Sequence, residues 1–144
     1  MKVYTGYDRK DVLAYEVAAR SLCKHSSIDL EIIPLHEWKL RHKGLFYRSH
    51  TVDTKGQAVD RGDRSRFSTD FSFTRFLVPA INEYKDEWVL FTDPDVLWRG
   101  DIAELVKCID DQYSVMCVTH KHVPFEKEKL FGLQQTKYER KNWS

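Results

Sequence analysis

Residues 87–92 (EWVLFT) form a nearly unbroken apolar run that stops at Asp93-Pro94-Asp95, and this run limits the folds that the chain can adopt. Continuous hydrophobicity over a segment of this length is typical of a central strand buried on both faces of a parallel sheet. Neighbouring parallel strands are joined by crossover connections, which are usually helices. The run therefore predicts an α/β domain.

The beginning of the chain agrees with this prediction. Residues 2–5 predict a first strand that ends at Gly6, and residues 30–34 predict a second strand closed by its proline. Between them, residues 9–25 predict a helix capped by Asp8. Its expected buried face comprises Val12, Leu13, Tyr15, Val17, Ala18 and Leu22. Strand, helix and strand in this order indicate a Rossmann-like, mostly parallel sheet flanked by helices.

Residues 42–68 interrupt the pattern, because they are polar and charged with scattered glycines and aromatic residues. They predict a long loop without regular structure. Long loops in compact domains are uncommon and often functional, so this one is a candidate lid. A surface insertion with no role is an equally good interpretation.

The remaining segments predict two helices and a strand. A dense apolar pattern over residues 71–81 predicts a helix capped by Asp70 or Ser72 and bent or ended by Pro79. Asp101 is expected to begin a short helix that runs through Val106. Residues 113–119 predict another strand, and residues 123–144 are polar and irregular.

Composition limits the possible functions. A chain of 144 residues fits one domain, and 23 basic against 22 acidic residues leave a net charge of +1, which argues against nucleic acid as a partner. The sequence has no apolar run long enough for a transmembrane segment and no secretory signal at its N-terminus. The three widely separated cysteines are expected to be buried free thiols. Together these features predict a cytoplasmic location in a reducing compartment.

The acidic tripeptide Asp93-Pro94-Asp95 is the strongest candidate for a functional site. A strand in an open α/β sheet delivers its following residues to the edge where ligands bind. The proline restricts the backbone, so the two carboxylates have little freedom and repel each other unless a cation lies between them. Mg²⁺ or Mn²⁺ prefers such oxygen ligands and often bridges them to phosphates. A simple turn is the alternative, since Asp and Pro are common turn residues.

Four segments together resemble a glycosyltransferase of the GT-A fold, close to the family-8 type that includes glycogenin-like enzymes and lipopolysaccharide galactosyltransferases. They are VYTGYD (residues 3–8), FSFTRFLVP (residues 71–79), WVLFTDPDVLW (residues 88–98) and DIAEL (residues 101–105). The resemblance implies that residues 1–144 are a nucleotide-sugar-binding domain. It also implies transfer of a hexose from a nucleotide-diphosphate sugar, expected to be a UDP-sugar, to a hydroxyl of a glycan, lipid or protein acceptor.

The resemblance also assigns roles to individual residues. Asp93 and Asp95 match the DXD carboxylates that bind Mn²⁺ or Mg²⁺, with Pro94 between them in the donor-binding motif, and Arg75 matches a basic residue near the donor sugar, the phosphates or the motif. The remaining matches are Thr5, Tyr7 and Asp8 in the loop that holds the base, and Asn142 and Trp143, beside Ser144, at the donor-sugar pocket.

One departure from the family concerns the third metal ligand. The family supplies a histidine from a region well past the DXD motif, together with most of the acceptor site. The chain stops at Ser144, so we expect an incomplete GT-A domain whose C-terminal part is missing. His120 and His122 follow a predicted strand, but histidines in such positions are usually ordinary surface residues.

Three interpretations of the sequence remain open. The chain is an enzyme in the first interpretation, with no assignable catalytic base. It is a non-catalytic or truncated nucleotide-sugar-binding module in the second, and a structural or interaction protein with an acidic turn in the third. A nucleotidyltransferase-like enzyme is a further alternative, because related sheets serve that chemistry. The glycine-rich phosphate loop of many nucleotide-binding proteins is absent, since Gly6 stands alone between Thr5 and Tyr7.

Overall fold

A computed structural model describes residues 1–118, together with the backbone of residues 128–129 and 133–134. The chain divides into two compact units, Met1–Asp110 and Asp111–Ser144. Within the part of the chain that the structure describes, no helix is both long enough and apolar enough to cross a membrane.

The strands in chain order are β1 (Lys2–Gly6), β2 (Glu31–Leu35), β3 (His50–Val52), β4 (Ala58–Asp60), β5 (Leu90–Thr92), β6 (Glu128–Lys129) and β7 (Leu133–Gln134). The helices are α1 (Val12–His25), α2 (Glu37–His42), a 3₁₀ helix (Thr74–Leu77), α3 (Val78–Ile81) and α4 (Ile102–Val106).

The first unit contains a parallel sheet with the strand order β2-β1-β5, flanked by helices, which confirms the predicted α/β class with a Rossmann-like parallel sheet. The prediction that the apolar run containing β5 forms the central strand was wrong. Strand β1 is central, and β5, predicted as a six-residue central strand, covers only three residues at an edge of the described sheet. The burial agrees with this order, because residues 3–6 of β1 are all buried, whereas only Thr92 is buried in β5.

Strand β2 extends one residue past the point at which the sequence predicted its end. Pro34 lies inside β2 and is the register partner of Thr5, and the strand ends at Leu35. A proline lacks the backbone N–H that a central strand needs for pairing on both sides, and it is tolerated at an edge. Since β2 is an edge strand of the described sheet, its proline does not terminate it.

Helix α1 begins later than predicted and buries a narrower face. Its cap is Asp11, whose carboxylate accepts a hydrogen bond from the backbone N–H of Ala14 at 3.3 Å, so the prediction of Asp8 was wrong. Leu22 packs in the core with Val3 and Ile102. The buried residues of the helix are Ala18, Ser21 and Leu22, whereas Val12, Leu13 and Val17 of the predicted face are exposed.

Residues 42–68 are not a structureless loop, which corrects the sequence prediction. They contain an antiparallel hairpin of β3 and β4. Its turn is fixed by Asp53, whose carboxylate accepts hydrogen bonds from the backbone N–H groups of Lys55 and Gln57, and Gly56 adopts a φ of 75° that favours glycine. Phe46 and Phe67 are buried in a hydrophobic cluster with Leu40 of α2. The burial of these two aromatic residues organises the segment.

The predicted helix over residues 71–81 is a 3₁₀ helix followed by the single-turn helix α3. Neither Asp70 nor Ser72 caps it, because the first helical turn begins after Phe73 without a side-chain cap. Asp70 pairs with Arg9 instead. Pro79 lies in the first turn of α3, where a missing backbone N–H has no cost.

Helix α4 follows the prediction, with the Asp101 carboxylate accepting from the backbone N–H of Ala103 at 3.0 Å. In the second unit, β6 and β7 form a two-stranded antiparallel pair. Residues 113–118 form no strand, and the side chains of Tyr113, Val115 and Val118 are exposed, so the predicted strand over residues 113–119 was wrong for this part. Residue 119 lies outside the described residues.

The cysteines Cys23, Cys108 and Cys117 are free, as predicted, but all three are exposed. The expectation of buried thiols was therefore wrong. Cys23 lies on the solvent side of α1, because the buried face of that helix is formed by its neighbours Ser21 and Leu22.

Candidate functional site

The carboxyl ends of the three parallel strands bring their following residues together. Gly6 is the register partner of Leu35, and Thr5 is the register partner of Thr92. The chain therefore leaves the sheet at Tyr7 after β1, at His36 after β2 and at Asp93 after β5. Ligands of open α/β sheets bind at this edge.

The acidic tripeptide forms a turn directly after β5. Pro94 is buried, Asp93 is half-buried and Asp95 is exposed. The buried proline fixes the turn against the protein. One carboxylate is thus held in the domain while the other faces solvent, which leaves a cation access to oxygen ligands of the kind that Mg²⁺ and Mn²⁺ prefer.

Arg75 joins the 3₁₀ helix to this turn. Its Nη1 lies 3.3 Å from Oδ1 of Asp93. Its Cζ lies 5.1 Å from the ring centroid of Phe71 and 5.4 Å from that of Phe91, distances at which the positive guanidinium is attracted to the π faces. The Nε atom is buried and has no hydrogen-bond partner among the described residues. The guanidinium is therefore positioned beside Asp93, and the part of the side chain that is exposed carries N–H donors that a second anion can use.

The ring of Phe71 lies directly against the backbone at the end of β1. A Cβ atom built on Gly6 would come within 2.7 Å of the Phe71 ring. Only glycine allows this approach. The contact links the end of β1 to the aromatic support of Arg75, and so to the acidic turn.

Aromatic side chains surround the ends of β1 and β2. The ring of Tyr7 lies 4.1 Å from the imidazole of His36 and 5.4 Å from the ring of Tyr15, and Trp38 lies 6.1 Å from the imidazole, all measured between centroids. Burial, with a smaller effect from the charge of Lys39, holds the pKa of His36 below its usual value. The imidazole is therefore neutral at pH 7, with one ring nitrogen that donates and one that accepts.

The other two candidate residues near β1 are Asp8 and Thr5, and both are buried. Asp8 is buried, and its carboxylate accepts hydrogen bonds from the backbone N–H groups of Lys10 at 2.9 Å and Asp70 at 3.3 Å. It thereby ties the loop after β1 to the segment that leads to Arg75. Thr5 is buried within β1, next to the edge.

The structure thus brings Arg75 into contact with Asp93 and sets Thr5, Tyr7 and Asp8 at the end of the neighbouring strand. Asn142 and Trp143 lie outside the described residues, as do His120 and His122. Of the side chains in the described ranges, no group of three or more His, Cys, Asp or Glu residues is placed to hold a metal ion. Mg²⁺ commonly takes one or two protein carboxylates, with phosphates and water as its other ligands, so Asp93 and Asp95 are the candidates at this edge.

Sequence reasoning missed two members of this edge, His36 and Phe71. His36 follows a predicted strand, and its position directly after β2 was the available signal. No pattern in the sequence could reveal that the ring of Phe71 packs on Gly6, because the two residues are 65 positions apart.

Comparisons with known proteins add one relative. The chain is 43% identical over 143 residues to Protein CDI of Arabidopsis thaliana, in an alignment that covers 99% of this chain and 50% of that protein. The chain thus spans about half the length of the curated relative that it matches. No family model matches the sequence, and no solved structure matches it.

Proposed function

We propose that the chain is the donor-binding part of a metal-dependent glycosyltransferase of the GT-A type, which moves a hexose from a nucleotide-diphosphate sugar to an acceptor hydroxyl. The observation that carries the proposal is the meeting of Asp93-Pro94-Asp95 with Arg75 at the carboxyl edge of a parallel sheet, beside the loop after β1. UDP-sugars are the expected donors. A glycan, a lipid or a protein remains the candidate acceptor, and a cytoplasmic location stays a prediction.

The charges at this edge support a diphosphate ligand. Asp93 and Asp95 repel a bare anion, so a diphosphate binds here only with a divalent cation that the carboxylates hold. Arg75 adds a positive group that is already oriented by two rings, and a fixed guanidinium loses little conformational freedom when it binds phosphate oxygens. A bound cation and Arg75 would therefore both neutralise charge on the same ligand.

A bound Mn²⁺ or Mg²⁺ supplies charge neutralisation at the diphosphate that leaves the sugar. The chain's own residues do the rest. Asp93 and Asp95 would hold the cation, Arg75 would donate to the oxygens of the leaving diphosphate, and Pro94 keeps the turn rigid. Stabilisation by fixed charges of this kind is electrostatic catalysis, which needs no reorganisation as the bond breaks.

Thermal unfolding with UDP and Mn²⁺ tests the proposal. We expect UDP to raise the melting temperature in the presence of Mn²⁺ and to have little effect in EDTA, because a ligand that binds only the folded state stabilises it. Asp95→Asn removes one cation ligand at an exposed position and should abolish most of the increase. Asp86→Asn, which also replaces an exposed aspartate, is the matched control and should leave the increase intact.

Transfer assays then separate two functions. Release of hexose from a UDP-sugar, to water or to an acceptor, identifies an enzyme. Mn²⁺-dependent binding without release identifies a nucleotide-sugar-binding module. Binding without release is included as an outcome because the chain spans about half the length of its relative. An equal UDP effect in Mn²⁺ and EDTA, or one that Asp95→Asn does not change, would contradict the proposal.

A further inference from the structure

Charge is unevenly distributed along the chain. Residues 37–66, which we call the basic segment, comprise α2 and the hairpin of β3 and β4. They contain eight basic and four acidic residues, a net charge of +4. The other residues contain fifteen basic and eighteen acidic residues, a net charge of −3. The small net charge of the whole chain thus conceals a cationic segment.

The carboxylates of the basic segment are already paired, which leaves cations in excess. Each of the four pairs with an arginine of the same segment: Glu37 with Arg41, Asp60 and Asp63 with Arg48, and Asp53 with Arg66. Lys43, Arg61 and Arg64 are exposed and form no ion pair with another residue of the described ranges. Exposed cations of this kind are available to an anionic surface.

Two of these cations lie at the open end of the hairpin, opposite its turn. The backbone N–H of Arg61 donates to the carbonyl oxygen of Ser49 at 3.0 Å, so the loop after β4 lies beside the residues that precede β3. The guanidinium of Arg48 also contacts the carboxylate of Asp63 in that loop. Arg61 and Arg64 are therefore held next to the chain that leads into β3.

Apolar side chains are exposed in the same stretch of chain. Phe46 is buried in the cluster with Leu40, whereas its two neighbours are not: Leu45 is 37% exposed and Tyr47 is 88% exposed. A tyrosine combines an apolar ring with a polar hydroxyl, and this combination is favoured at the boundary between water and lipid. Cations and an aromatic ring thus occur together at the open end of the hairpin.

The backbone of Arg64 gives a further indication. Its φ is 62°, in the left-handed region that favours glycine. An arginine in this conformation is less stable than a glycine, and its exposed side chain gains no ion pair within the described ranges in return. Strained residues of this kind are frequent at functional sites.

We propose that the open end of the hairpin, defined by Lys43, Leu45, Tyr47, Arg61 and Arg64, docks the chain on a membrane surface that contains anionic lipids. The cations attract the lipid headgroups, and the two apolar side chains enter the boundary with the acyl chains. A bilayer meets one surface of the protein, whereas a long nucleic acid would also meet the negatively charged remainder of the chain. Docking of this kind needs no helix that crosses the bilayer.

Co-sedimentation of the intact chain with lipid vesicles tests the proposal. We expect binding to vesicles of phosphatidylcholine and phosphatidylserine, and much weaker binding to phosphatidylcholine alone. The double variant Arg61→Gln/Arg64→Gln should lower the partition coefficient about 25-fold, because each basic residue near an anionic surface contributes a factor of about five. Lys24→Gln/Arg99→Gln removes two exposed basic residues outside the basic segment and is the control of equal charge. Its partition coefficient should change less than about twofold.

Two further variants separate charge, apolar contact and folding. Tyr47→Ser should weaken binding but keep its dependence on salt between about 0.1 and about 1 M, whereas the double arginine variant should lose most of that dependence. Arg64→Gly relieves the left-handed backbone, so its melting temperature should not fall. Its binding to vesicles should nevertheless weaken about fivefold, a loss that unfolding cannot explain.

Several outcomes would overturn the proposal. One is equal binding to vesicles with and without phosphatidylserine, and another is equal binding by the double arginine variant and its control. Heparin and single-stranded polyuridylate test other anionic partners. If the native chain binds either of them and Tyr47→Ser alters neither that complex nor vesicle binding, the surface recognises soluble polyanions and not a membrane. Because UDP and Mn²⁺ are absent from these assays, the result does not depend on the proposed donor site.

Discussion

Replacement of Gly6 by alanine tests the contact on which the geometry of the edge depends. The added Cβ would lie 2.7, 2.8 and 2.9 Å from three atoms of the Phe71 ring, distances that real Cβ atoms essentially never show. Phe71 is buried, so its ring has little space in which to move. Overpacking of a core usually costs about 1–3 kcal/mol, and we expect the free energy of unfolding to fall by that amount.

Gly100→Ala is the matched control, because nothing lies within 4 Å of a Cβ at that position and its φ is not in the left-handed region. Alanine there should be neutral or slightly stabilising, because it lowers the conformational entropy of the unfolded chain, an effect of about 0.4–1 kcal/mol on stability. Urea unfolding followed by circular dichroism measures both variants. Equal stabilities of Gly6→Ala and Gly100→Ala would refute the contact.

A second variant links this contact to the site. Phe71→Leu removes the ring edge that the new methyl group meets, so the double variant Gly6→Ala/Phe71→Leu should recover part of the stability lost in Gly6→Ala. Because the Phe71 ring also supports Arg75, Gly6→Ala should weaken the protection by UDP and Mn²⁺ as well. Strictly additive losses in the double variant would mean that Gly6 and Phe71 do not interact.

Three further changes have predicted outcomes. Arg75→Lys keeps the charge and loses the planar fork that contacts two rings, so the dissociation constant of UDP with Mn²⁺ should rise about tenfold in calorimetry, equivalent to about 1.4 kcal/mol. Arg48 holds the pKa of Asp60 below its ordinary 3.8. The ionised carboxylate therefore contributes stability above pH 3.8, and this contribution is lost as the pH falls through the lowered pKa. Arg48→Met should make the free energy of unfolding fall less steeply with decreasing pH. Burial holds the pKa of His36 below its ordinary 6.5, so the unfolded chain takes up the proton first as the pH falls. Stability therefore falls as the pH drops below 6.5. His36→Phe should remove this contribution to the pH dependence of the free energy of unfolding, measured by urea unfolding.

Each of these changes has an outcome that contradicts it. Arg99→Lys, at an exposed position, is the control for Arg75→Lys, and similar losses in both would remove the special position of Arg75. An unchanged acid profile in Arg48→Met would mean that the ion pair with Asp60 does not persist in solution. A steeper slope below pH 6.5 in His36→Phe would reverse the expected sign.

The sequence predicted the elements whose signals are local. The Asp101 cap and helix α4 were correct because a cap is set by a residue and its next two or three neighbours. The strand order was not predictable in the same way. The apolar run that includes β5 gave the stronger signal, yet β1 is the central strand, since burial depends on which segments cover a strand and not on its own composition alone.

The hairpin in residues 42–68 shows a second limit. Its strands are three residues long, and β3 is exposed throughout, so neither alternation nor an apolar run reveals it. Its structure depends on the burial of Phe46 and Phe67 against Leu40, and on carboxylates that accept backbone N–H groups in the turns. These contacts are tertiary or depend on turn geometry, and polar composition alone suggested a loop.

The residues of the candidate site also differ in whether local sequence or tertiary structure identifies them. Asp93 and Asp95 could be selected from the sequence because two carboxylates and a proline directly after an apolar strand are a local pattern. Arg75 was selected only through the resemblance to the glycosyltransferase family. In the structure, the 3₁₀ helix brings its guanidinium to 3.3 Å from the Asp93 carboxylate at the edge of the sheet. His36 needed the strand order itself, because only the parallel pairing of β2 with β1 sets its ring against Tyr7. The surroundings of a residue that directly follows a strand become visible only when the neighbouring strands of the sheet are known.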